Sequence, residues 1–137
     1  MLEKKIKYTD YNDVEREETF YFNISKAEMS RKEFTTDGGY SAYLERISKE
    51  KNSTELYKIF EEIICLAYGE KSDDGKRFIK ERNGEKLYKQ FQETPAYDEL
   101  IMELFDAKKA AEFVTGIFPR DIVNQVNTND IINSVSQ

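Results

Sequence analysis

Residues 98–121 read DELIMELFDAKKAAEFVTGIFPRD, and whether they form one helix or two decides how the chain can fold. At about 100° per residue, Leu100, Ile101, Leu104 and Phe105 share one side, while Asp98, Glu99, Glu103 and Asp106 fill most of the other. Beyond Asp106 the pattern swivels. Ala107, Ala110, Ala111, Val114, Ile117 and Phe118 centre roughly 120° further round, and Lys108, Lys109 and Glu112 cover the face that had been apolar. A straight helix on one flat core cannot bury both stripes. Either the segment has two neighbours or the chain breaks near Asp106. Asp106 is a good helix-capping residue and AKKAAEF a strong helix former, so a break is the preferred reading, with 95–105 and 107–117 packing on different surfaces.

Working back toward the N-terminus, Thr94 as N-cap with Pro95 at the first helical position starts this region. EKLYKQFQE (85–93) is a further helix. GEKSDDGKRFIKERNGE (69–85) is a loop-rich connector with turn signals at Asp74-Gly75 and Asn83-Gly84 and a short extended piece at 77–80. The strongest stripe in the chain comes before it: Leu56, Ile59, Phe60, Ile63, Ile64 and Ala67, with Ser53 as cap and Gly69 placed to end the helix. This helix is expected at the centre of the core. Gly38-Gly39 separates a helix over YSAYLERISKEK (40–51), with Tyr40, Tyr43, Leu44 and Ile47 on one side, from a shorter one over KAEMSRKEF (26–34). Ser25 and Glu28 have capping-box spacing at its start. Residues 4–9 and 16–24 alternate as strands around a DYNDVE turn, with Ile6, Tyr8, Phe20, Phe22 and Ile24 facing one side.

The expected architecture is therefore α+β and mostly helical: an N-terminal β-hairpin packed with a bundle of five or six short helices. One domain of 137 residues is expected, with the hairpin over about 4–24, helices over about 25–126 and a polar tail over about 127–137. A hydrophobic content of 39% supports a core despite 35% charged residues. The net charge of −6 is evenly spread, with 11 basic and 14 acidic residues in 1–69 and 10 and 13 in 70–137. No basic face follows from this, which argues against nucleic acid and anionic membrane as main partners. The N-terminus lacks the apolar core of a signal peptide, and no apolar run approaches the length of a membrane span. Cys65 stands alone on an apolar stripe and reads as core filler in a cytosolic setting.

Little chemistry is legible. With no histidine, the commonest general base and the usual zinc sites are absent. Adjacent carboxylates such as Glu61-Glu62 and Asp98-Glu99 point about 100° apart on a helix and do not converge. Gly69…Gly75-Lys76-Arg77 has the wrong glycine spacing for a phosphate loop and lacks its hydroxyl. Asp73-Asp74-Gly75 lacks the alternate ligands of a calcium loop and reads as a turn. No catalytic residue, metal site or cofactor is expected.

Three ordered blocks carry a resemblance: IKYTDYN (6–12) with EREETFYFNISKAE (15–28), GEKSDDGKRFIK (69–80), and TPAYDELIMELFDAKKAAEFVTGIFP (94–119). Together they resemble tail assembly chaperones of long, non-contractile-tailed phages and prophages of Gram-positive bacteria, at the size of the family's short form. The resemblance implies a non-enzymatic helper in the cytoplasm of the bacterial host. Such a helper coats the tape measure protein before tail tube protein polymerises around it, and self-associates as a homo-oligomer. On that reading Ala110, Phe113, Ile117, Phe118 and Ile122 are expected to contribute to a partner-binding surface; the alternative is that they close over the core of their own subunit. A structural virion component, such as a head–tail connector or tail completion protein, is the competing function. A nucleic-acid-binding regulator would rely on GKRFIKER (75–82), which acidic residues flank.

Overall fold

The computed structural model describes residues 1–43 and 53–118. It opens with β1 (Leu2–Thr9) and β2 (Glu15–Phe22), an antiparallel pair in register from Leu2 opposite Phe22 to Thr9 opposite Glu15. The turn is built on Asp10, whose carboxylate accepts from the backbone N–H of Asn12 at 2.8 Å and of Val14 at 3.0 Å. Asp13 takes the left-handed conformation there (φ 60°), which aspartate tolerates better than most residues. Alternation puts Ile6, Tyr8, Phe20 and Phe22 on the core side, as their spacing predicts, and Leu2, ahead of the expected strand, joins them. Lys4 shares that side and reaches out to Glu103, 2.6 Å away.

The hairpin grows into a four-stranded sheet, order β1-β2-β3-β4, by adding β3 (Tyr68–Lys71) and β4 (Phe78–Ile79). The β4 position matches the extended piece expected at 77–80. The β3 strand was not expected, because the preceding helix was read through to Gly69. That helix, α2 (Ser53–Ala67), ends at Ala67, whose carbonyl accepts from the Asn23 N–H at 2.8 Å. Gly69 then lies opposite Tyr21 inside the sheet. A Cβ there would sit 2.6 Å from both the Ile79 carbonyl oxygen and the Phe78 ring. Glycine is needed for this close approach, not to stop the helix. A minor hairpin, β5 (Glu81–Arg82) and β6 (Glu85–Lys86), turns at Asn83-Gly84, both at positive φ (54° and 78°).

Before α2 comes α1 (Lys26–Thr35), begun by the full capping box of Ser25 and Glu28. Gly38 and Gly39 (φ 78° and 91°) turn the chain into a helical segment at 40–43. Tyr40 is buried and Tyr43 partly buried, as their stripe predicts; Leu44 and Ile47 lie outside the described residues. After β6 follow α3 (Leu87–Gln92), α4 (Pro95–Glu103) and α5 (Ala107–Ile117). Thr94 occupies the N-cap position of α4, but its hydroxyl donates back to the Phe91 carbonyl at 2.7 Å and does not cap.

The break at Asp106 is real. Residues 104–106 leave the helix, and the Asp106 carboxylate accepts from the Lys109 N–H at 3.0 Å, restarting it as α5. The two stripes nevertheless do not serve two surfaces. Turning at Asp106 brings both into one core, around the fully buried stripe of α2. Rings dominate the packing: Tyr68 stacks on Phe91 with centroids 4.4 Å apart, and Phe22 meets Phe113 edge-on at 5.3 Å. Each such buried ring contributes roughly 2–3 kcal/mol of transfer free energy. The core side of β1 packs on α4, where Lys4 meets Glu103, and on α5, whose Gly116 abuts Leu2.

Candidate protein-interaction surface

Of the five residues expected to meet a partner, four are core. Ala110, Phe113, Ile117 and Phe118 are all nearly inaccessible, and Ile122 lies outside the described residues. The Ile117 carbonyl also accepts from the Ile24 N–H at 3.1 Å, stitching α5 to the end of the hairpin. Within the subunit this face is covered by its own core, which is the alternative the sequence left open. The physical reason is the direction taken after Asp106, which folds α5 back under β2.

Apolar side chains do reach the surface elsewhere. Tyr57 on α2 is 40% exposed and Phe105, in the break between α4 and α5, is 39% exposed. Their rings stack with centroids 6.4 Å apart, and Phe105 is held edge-on against Phe60 at 5.9 Å. With Thr54, Lys58 and Glu61 they line a shallow cavity of about 510 Å³. Met102, one turn before Phe105, is largely exposed, with Asp98 a further turn back on the exposed side of α4. Lys58 lies 3.6 Å from Glu55, which leaves Glu61 as the acidic group at the cavity's border. Met1, Phe34 on α1, and Tyr11 and Val14 at the hairpin turn are the other large apolar exposures among the described residues. Because capping and pairing fix α1 and the turn, the last three side chains stand on ordered backbone.

The scaffold behind this surface is pinned by one lysine. Lys80 Nζ donates to the Asn23 carbonyl (2.7 Å), the Leu66 carbonyl (2.6 Å) and both Glu28 carboxylate oxygens (2.8 and 2.7 Å). It thus joins the hairpin exit, the end of α2, the start of α1 and the connector. Burial lowers the Lys80 pKa, an effect Glu28 partly offsets. On Glu28 burial acts upward, but the bonds from Lys80 and the Ser25 N–H outweigh it and leave the carboxyl below its usual value. Nothing in the pattern around FIKER singles out Lys80, since its partners come from three distant segments.

Among the described residues no three His, Cys, Asp or Glu side chains lie close enough to hold a metal ion. Cys65 is half-buried and accepts from Gln92 Nε2 at 3.3 Å, and burial pushes its thiol up to about 11, so it is protonated at neutral pH. No helix among the described residues is long and apolar enough to cross a membrane.

The exposed aromatic side chains are of the kind that protein interfaces use. Comparison with known families matches residues 1–137, the whole chain, to the family described as phage tail assembly chaperone. The chain belongs to that family. Comparisons with curated proteins and with solved structures returned no match.

Proposed function

We propose that this chaperone acts without catalysis in the cytoplasm of a bacterial host, binding the tape measure protein and helping to recruit tail tube subunits around it. The family match over the full chain carries this reading. The structure supports it through what it presents to solvent: aromatic side chains on ordered backbone, of the kind protein interfaces use. Self-association along a long client belongs to the same reading, since many copies must cover one chain. The net charge of −6 favours solubility at high copy number and suits a client with basic segments.

Co-expression with the tape measure protein of the same phage, followed by pull-down and light-scattering mass, tests the proposal. The expected result is a soluble complex holding many copies of this chain per client. A tape measure protein that aggregates alone while this chain stays unbound overturns it, and the protein is then to be sought in finished particles as a structural component.

A further inference from the structure

Phe34 stands 88% exposed near the end of α1, more than any other large apolar side chain among the described residues. Ala27, Ser30, Arg31 and Phe34 are all exposed, at the i, i+3, i+4, i+7 spacing of one helix face. Arg31 gives that face a positive charge next to the ring. The face is ordered, because the Ser25–Glu28 box and the Glu28–Lys80 pair fix the start of the helix.

The Tyr57–Phe105 cavity has the opposite character. It is a shallow aromatic hollow bordered by Glu61 and by Lys58, whose ammonium lies 3.6 Å from Glu55. It lies on the far side of α2 from α1. Lys32 of α1 pairs with Glu62 at 2.8 Å, and at about 100° per residue Glu62 is roughly 140° round α2 from Tyr57. Phe34 therefore cannot turn into the cavity of its own subunit.

We propose that Phe34 of one copy seats in the Tyr57–Phe105 cavity of the next, with Arg31 meeting Glu61. The occupant is a second copy of this chain because the chain itself supplies both halves: a projecting ring beside Arg31, and an aromatic hollow where Glu61 can meet that cation while Lys58 is engaged by Glu55. The two halves are different surfaces, so the contact is heterologous and repeats head to tail, building a ring or an open filament. The inference deepens the self-association in the functional reading and rests on that part of it, while it does not depend on which client is bound.

The test is light-scattering mass across a wide concentration range for the wild-type chain, Phe34→Asp and Phe105→Asp. Wild type is expected to gain mass with concentration. Each variant is expected to associate at least about 30-fold more weakly, as when a buried aromatic anchor is lost. Mixed together, the two variants are expected to form a complex of two chains and no more, because Phe34→Asp retains an intact cavity and Phe105→Asp an intact Phe34. Since Phe105 also packs on Phe60, Tyr57→Lys serves as a second cavity variant, with circular dichroism confirming its fold. Arg31→Glu and Glu61→Arg are each expected to weaken association and together to restore it.

Wild type at the mass of one chain throughout overturns both this interface and the self-association reading. Wild type that assembles while Phe34→Asp and Tyr57→Lys assemble equally well overturns the interface alone. So does a cavity variant that loses the client but keeps its oligomeric mass, which assigns the cavity to the client.

Discussion

The ammonium of Lys80 donates to both oxygens of Glu28, at 2.8 and 2.7 Å, across 52 positions of sequence. The same nitrogen holds two backbone carbonyls, so α1, α2 and the hairpin exit share one cation. Lys80→Met is expected to leave the Glu28 carboxylate and two carbonyls short of a donor. Removing one partner of a buried pair costs about 3–5 kcal/mol; this pair is partly open to water, which brings the expectation to about 2 kcal/mol. The shift of the urea midpoint at neutral pH measures it.

Protonating Glu28 should act in the same direction as removing Lys80. The Glu28 pKa is lowered in the folded protein, so its stabilising contribution is complete above the ordinary glutamate value of 4.5 and is lost as pH falls through the lower folded value. Glu28→Gln is therefore expected to be less stable than wild type at pH 7. The difference is expected to close under acid, as followed by urea unfolding at a series of pH values.

Phe113→Asp is expected to unfold the chain and not merely to weaken its assembly. The ring is 3% exposed and edge-on to Phe22. Losing a buried phenyl costs about 3–5 kcal/mol, and a buried carboxylate adds to that. Far-ultraviolet circular dichroism should show the collapse, whereas Phe34→Asp is expected to keep the full signal and, at concentrations where wild type is a single chain, the wild-type melting temperature.

Gly69→Ala places a methyl group 2.6 Å from the Ile79 carbonyl oxygen, a backbone atom that can move only with its strand. A loss of about 1–3 kcal/mol is expected, the range for an overpacked interior. Gly75→Ala is the control, because nothing lies within 4 Å of its added carbon and only its left-handed φ of 73° resists the change.

Cys65 is expected to resist alkylation. Burial raises its thiol from 9.0 to about 11, so at pH 8 the thiolate fraction falls on the order of 10- to 100-fold below that of the unfolded chain. Iodoacetamide labelling in the presence and absence of urea measures the ratio, and with one cysteine in the chain the label reports a single site.

Much of this architecture was legible in the residues because it is local. The alternation of Phe20 and Phe22 marks a strand face, the α2 stripe marks a buried helix, and Ser25, Asp106 and Asn83-Gly84 mark starts and turns by their own hydrogen bonds and backbone angles. The swivelled stripe after Asp106 was legible too, including the break it demands. The destination of that stripe was not, and neither was the four-residue strand after Ala67, too short to show a period.

The sequence by itself determined which side of the long elements is apolar and where the helices after Ser25 and Asp106 begin, since neighbours within a few residues set both. Only the tertiary structure decided what covers each apolar side. The direction of the chain beyond Asp106 carries Phe113 and Ile117 inward, while Phe34 and Phe105, no less hydrophobic, are left at the surface. Lys80 shows the same division. Its type and position are plain in the sequence, but its role depends on Asn23, Glu28 and Leu66 arriving together, and hydrogen bonds act over about 3 Å in space whatever the distance along the chain.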